Sequence, residues 1–244
     1  ESNYIGSHGA ADGTVQRRRN RDIAGWLMAR DANPGALTGV WASKNIRGNI
    51  WDALRERETF ATSGPRIRPR FFGGVDLVAE NPADLVRQGY AEGVPMGGQL
   101  SGLTQSPTFT VHALKDPDGA NLDRIQIIKS WIDVASNPQE KIVDVAWSDN
   151  REPDIYGILP PVGNTVDPAK ASYTNTIGSA ELMGSWIDYD FDPRLPAVYY
   201  ARVLEIPTPR WTTYDAVNHK LPLLDSVPAT IQERAWTSPI WYTP

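Results

Sequence analysis

The segment "TFTVHALK" at residues 108–115 does most to narrow what this chain can fold into. Phe109, Val111 and Ala113 alternate with Thr108, Thr110 and His112, which is the period of a strand buried on one face and not that of a helix. "DPDG" at 116–119 supplies the residues of a tight turn, and "DRIQIIKSWID" at 123–133 is rich in β-branched residues. The two segments are predicted to pair as a hairpin or to lie as near neighbours. "KIVDVAW" at 141–147 reads as a third strand and "VYYARVLEI" at 198–206 as the clearest late one. Alternation in the late strand puts Arg202 on the side of Tyr200 and Leu204, and Glu205 on the side of Val203.

The earlier part of the chain reads differently. Ile46, Ile50, Ala53, Leu54 and Arg57 recur at helical spacing, predicting a helix over 45–60 whose exposed side is "RERE". Gly48 weakens its first turn, so the regular part is expected to begin at Asn49, a residue able to cap it. The helix should stop before Gly64-Pro65, because proline disfavours helix at the residue before it. In the following "RIRPRFF", Arg66, Arg68 and Arg70 oppose Ile67 and Phe71, and Pro69 marks an edge strand. A second helix is predicted over 83–93, and Pro153, Pro160, Pro161 and Pro168 with Gly157 and Gly163 make 149–170 a long loop. The fold class is therefore an α/β piece followed by a β-rich, sandwich-like region, dividing between residues 75 and 95.

A net charge of -5 gives no general attraction to nucleic acid or to an anionic membrane, so "QRRRNR" at 16–21 reads as solvated surface charge. No segment has the roughly 18 apolar residues of a membrane span. With no cysteine, thiol catalysis and cysteine-based zinc sites are excluded. The first residues show neither an initiator Met nor a signal-peptide apolar block, as in a processed chain or a fragment.

Only three histidines, His8, His112 and His219, are available, and no two share a helix face. No complete metal site is therefore expected in this chain. His8, on the Gly-rich "GSHGAADG", is the one weak catalytic candidate, as ligand or proton shuttle. Asp188, Asp190 and Asp192 alternate like the start of a calcium loop, but Pro193 and Tyr199 stand where the pattern needs Gly and Glu. No nucleophile elbow, phosphate-cradling loop or dinucleotide fingerprint occurs. Arg210, Glu233 and Arg234 lie beside Trp211, Trp236 and Trp241, which suits either buried Arg–Glu anchoring or stacking of a sugar on tryptophan.

The segments "GVWASKNIRGNIWDALRERETFATSGPRIRPRFFGG", "ALKDPDGANLDRIQIIKSWID", "LPPVGNTVD", "ASYTNTIG", "YYARVLEIPTPRWTTYDA" and "IQERAWTSPIWYTP" together resemble the C-terminal part of the bacterial family catalogued as domain of unknown function 3604. That family looks related to the polymerase and histidinol phosphatase (PHP) superfamily of metal-dependent hydrolases. The resemblance implies that residues 1–75 are the last part of a distorted PHP-like α/β barrel and that 76–244 are an appended β-rich region. It implies a water activated by a divalent metal (manganese, zinc or magnesium) attacking an ester, commonly a phosphoester. The family's Asp-Leu-His-x-His-like and Ser-Asp-Thr-His segments are not in this sequence. The chain alone is accordingly expected to be inactive, and to be a proteolytic product docked to the N-terminal half of the same protein or a stretch of a longer chain. Ser63 and Arg66, at the barrel mouth, and Arg210 and Trp211 are the substrate-binding candidates. A homo-oligomer is left open, and the family leans towards a periplasmic or secreted bacterial location. The alternative is a non-catalytic β-rich module that binds glycan or a partner subunit.

Overall fold

A computed structural model of the chain describes residues 35–244 and the backbone of two short antiparallel strands, β1 (Asp22–Ile23) and β2 (Leu27–Met28). The described chain is β-rich, with no barrel among its sheets. Numbering strands in chain order, the larger sheet holds β3 (Leu37–Val40), β4 (Thr59–Thr62), β7 (Gln99–Ser101), β9 (Leu122–Ile132), β10 (Pro138–Trp147), β12 (Ala197–Glu205), β15 (Arg234–Thr237) and β16 (Ile240–Thr243). Its spatial order is β10-β9-β12-β15-β4-β3, with β16 on β12 and β7 on β16. The smaller sheet is ordered β11 (Glu181–Ile187), β8 (Thr108–Leu114), β5 (Arg68–Gly74) and β6 (Val94–Pro95). A two-stranded ribbon, β13 (Thr208–Pro209) with β14 (Thr230–Ile231), leads into and out of the last helix. Sheet membership runs across residue 75, since β4 and β5 pair with strands that follow it.

The core lies between the two sheets. Phe71, Phe109 and Val111 from the smaller sheet meet Ile125, Ile127, Tyr199, Ala201 and Val203 from the larger, and Phe109 stacks on Tyr199 with centroids 4.1 Å apart. Removing one such buried ring costs about 3–5 kcal/mol. Facing β11, β10 slips register between Asp144 and Ala146. The carbonyl of Val145 there lies 2.2 Å from where a Cβ on Gly184 of β11 would be, so that position admits only glycine.

This packing changes two expectations. β8 is buried on both faces and not on one, because its threonine and histidine side is also covered. Thr110 Oγ1 lies 2.8 Å from Ser185 Oγ, and His112 Nε2 lies 2.6 Å from Glu181 Oε1, a partner the sequence did not suggest. Nor do β8 and β9 form a hairpin: β8 pairs with β5 and β11, and β9 with β10 and β12. The "DPDG" turn thus carries the chain from one sheet to the other.

The first helix, α1 (Arg47–Arg55), is shorter than the predicted 45–60. Arg57 takes a left-handed conformation (φ 60), with Glu58 N bonded to Ala53 O (3.0 Å) and Arg57 N to Leu54 O (3.2 Å). This is a Schellman closure made without the usual glycine, and it frees Thr59–Thr62 to become β4. Asn49 does not cap the helix; its Nδ2 donates to Ser43 Oγ (2.6 Å). The predicted apolar face is only partly covered, with Ile50 half-buried beside Ala53, while Arg55 and Glu56 are exposed as expected. Ala53 is buried, but Ile46, Trp51 and Leu54 are exposed, Trp51 by 60%. The second helix, α2 (Pro82–Glu92), fits its expectation: Asn81 accepts from Asp84 N and Pro82 opens the first turn. The third, α3 (Trp211–Asn218), follows the β13 ribbon strand.

Candidate functional site

Strand register gathers polar groups at one end of the larger sheet. β4 aligns Thr62 with Ala235, and β15 aligns Arg234 with Leu204, so Ser63, Glu233 and Glu205 follow one another across three neighbouring strands. Ser63 Oγ donates to Glu233 Oε2 in a short bond and accepts from Arg234 N (2.9 Å). The smaller sheet contributes Asp116, just past β8. Its carboxylate accepts from the backbone N–H of Arg66 (2.7 Å) and of Asp118 (3.1 Å), while the Arg66 side chain, 69% exposed, brings Nε to 3.4 Å from Asp116 and Nη2 to 3.6 Å from Asp118. Burial alone would raise the pKa of Asp116, but those backbone donors and Arg66 outweigh it and hold the group below its usual range.

Glu205 occupies the centre of this end. The alternation of β12 turns it inward with Val203, leaving it 2% exposed, and Oε1 has no hydrogen-bond partner among the described residues. Burial, then the charges of Glu233 and Asp116, push its pKa to about 8, against a smaller lowering by Lys115. At neutral pH Glu205 is therefore mostly a neutral acid with a proton to give. Tyr214, on α3, also has a raised pKa, first through burial and then through the charges of Glu205 and Glu233. Tyr173 is raised in the same way, by burial and then by Tyr214, Glu205 and Asp116.

A second cluster lies at the other end of β4. Glu58 precedes that strand as Ser63 follows it, so the two clusters are about 17 Å apart along it. Glu58 is 9% exposed. Its Oε1 receives the Tyr90 hydroxyl in a short bond and Arg70 Nη1 at 3.4 Å. Arg70 also donates to the Tyr90 oxygen (2.9 Å) and lies over Trp41, its guanidinium carbon 3.4 Å from the ring centroid. Burial raises the pKa of Glu58, opposed by the Tyr90 bond and Arg70. Burial and the bond to Glu58 push the Tyr90 hydroxyl up to about 12. These residues and the polar side of α1 enclose a cavity of about 440 Å³.

A model of the family described as "Protein of unknown function (DUF3604)" matches residues 1–244. The chain belongs to that family. No curated protein and no solved structure matches it.

In this DUF3604 chain the sequence candidates fall out unevenly. Ser63 and Arg66 do sit at one site, joined to Glu233 and Asp116. Arg210 and Trp211 open α3, one turn before Tyr214; Arg210 donates to Thr212 Oγ1 (3.2 Å) and lies 5.4 Å from the Trp211 ring centroid. His8 and the basic run at 16–21 lie outside the described residues. The alternating aspartates, which do not complete a calcium loop, form ion pairs: Asp188 with Lys129, Asp190 with Lys141 and Asp192 with Arg194. Among the described residues no helix is long and apolar enough to cross a membrane.

The sequence reading missed Glu205, Asp116, Glu58 and Tyr90 as site residues. Two had a usable signal: Glu205 is the one acid on the Val203 side of its strand, and Asp116 opens "DPDG". Glu58 and Tyr90 meet only through tertiary packing of β4, β5 and α2.

Proposed function

We propose that this DUF3604 chain is the C-terminal part of a divalent-metal-dependent hydrolase of the PHP type, acting on phosphoesters, and that the Glu205 end of the sheets faces the substrate. The observation that carries this reading is the Glu205 carboxyl, 2% exposed, unpartnered at Oε1 among the described residues and with a pKa of about 8. Such a group is matched to proton transfer near neutral pH. In the hydrolysis, water adds to phosphorus as the ester P–O bond breaks. Glu205, being 2% exposed, passes its proton to the leaving oxygen through one intervening water, and the proton released by the attacking water restores the acid. Arg66, its side chain 69% exposed and loosely paired with Asp116 (3.4 Å) and Asp118 (3.6 Å), can turn its planar fork to a phosphate oxygen pair.

The implied metal does not fit the described residues, among which no three His, Asp or Glu side chains are placed to hold one. On this reading its ligands come from the N-terminal half of the same protein, and the chain alone is expected to show no turnover. That half has a surface to meet: the apolar side of α1, carrying Ile46, Trp51 and Leu54, lies near edge strand β3 with its exposed Leu37. The test is turnover of aryl phosphoesters by the full-length protein with and without manganese or zinc. Metal-dependent hydrolysis is expected; inertness across ester classes under both conditions overturns the reading.

A second reading, a β-rich binding module, is favoured by a separate observation, the polar cavity at the Glu58 end of β4.

A further inference from the structure

The cavity at the Glu58 end of β4 deepens that second reading and is independent of the hydrolase proposal. Its volume of about 440 Å³ is in the range of small-molecule sites, about 300–1,000 Å³. Its wall offers far more acceptors than donors. Asp52 of α1 and Glu56 just after it line the cavity and make no side-chain hydrogen bond or ion pair among the described residues. Glu58, nine-tenths buried, engages only Oε1, leaving Oε2 without a partner among those residues. The single cation, Arg70, is already bound to Glu58, Tyr90 and the Trp41 face. An anion entering here would meet three carboxylates, and a neutral polyol would gain hydrogen bonds but no charge attraction. A primary ammonium carries three donors and a positive charge, which answers the unpartnered acceptors directly.

We propose that this cavity binds a small organic molecule through a primary ammonium group, held by Glu58 Oε2 and the carboxylates of Asp52 and Glu56. Trp41 forms one wall, so occupancy should change tryptophan emission.

The test is calorimetric and fluorescence titration of the chain with 1,4-diaminobutane, with 1,4-butanediol as the uncharged match. The diamine is expected to bind one-to-one, with the diol weaker by about tenfold or more. Glu58→Gln and Asp52→Asn should each weaken the diamine by about tenfold. Asp52 is exposed, so its variant reads the site even if the Glu58 variant folds poorly. Equal affinity for diol and diamine, no diamine signal up to about 10 mM, or an unchanged affinity in Asp52→Asn overturns the proposal. The readout is binding and not turnover, so this proposal and the hydrolase reading fail separately.

Discussion

Glu205 and the pair Lys129–Asp188 show how single residues set the behaviour of this fold. The pKa of Glu205 rises from 4.5 to about 8 on folding, so the native state holds a proton that the unfolded chain has lost. The stabilisation from that proton is complete below about pH 4.5 and lost as pH rises through about 8. Glu205→Gln, which cannot ionise, should flatten this dependence and be the more stable form above pH 8 by about 1 kcal/mol or more. Urea midpoints from pH 4 to 9 check it, and parallel slopes for variant and parent would contradict it. Lys129 and Asp188 form an ion pair at 2.5 Å with side chains 4% and 0% exposed, and Tyr199 donates to the same carboxylate oxygen (2.7 Å). Burial and Asp188 both raise the Tyr199 pKa, keeping that hydroxyl protonated as donor. Lys129→Met leaves Asp188 as an uncompensated buried charge and should cost about 3–5 kcal/mol in thermal or denaturant unfolding.

At the scale of elements, what was legible depended on whether the local signal decided the outcome. β12 and α2 follow their patterns, because alternation and the Asn81–Pro82 start agree with the burial they meet. The helix predicted over 45–60 forms only over Arg47–Arg55, because its end is set by Arg57, a residue with no reputation as a stop. Arg57 is held in place by tertiary contacts, donating to Gly97 O (3.1 Å) and lying 5.0 Å from the centre of the Trp241 ring. The polar side of β8 was misread as solvent-facing, since a threonine stripe looks the same whether it meets water or Ser185. The site was visible only as pieces, because strand register, not sequence spacing, brings Ser63, Glu205 and Glu233 together. Two element-level predictions follow from the packing. Gly184→Ala puts a methyl against the Val145 carbonyl and should destabilise by about 1–3 kcal/mol or prevent folding, measured by denaturant midpoint. Trp51→Glu, on an exposed face, should leave the chain's own stability within about 0.5 kcal/mol. It should abolish co-purification with a separately expressed N-terminal half; undiminished co-purification would remove α1 from that seam.

Across the whole molecule, one short strand connects two chemistries. β4 joins a proton-holding acid cluster at its Ser63 end to a carboxylate-lined cavity at its Glu58 end, and both sheets close around the aromatic core between them. The proposed hydrolase reading puts the first cluster against substrate and the metal ligands in the partner half. The most direct measurement is the rate of aryl phosphoester hydrolysis by the full-length protein in manganese or zinc, parent against Glu205→Gln, over leaving groups of rising pKa. The account predicts metal-dependent turnover that falls by about 10²–10⁴ in the variant, most for the poorest leaving groups. Turnover in the variant equal to the parent for every leaving group would contradict it.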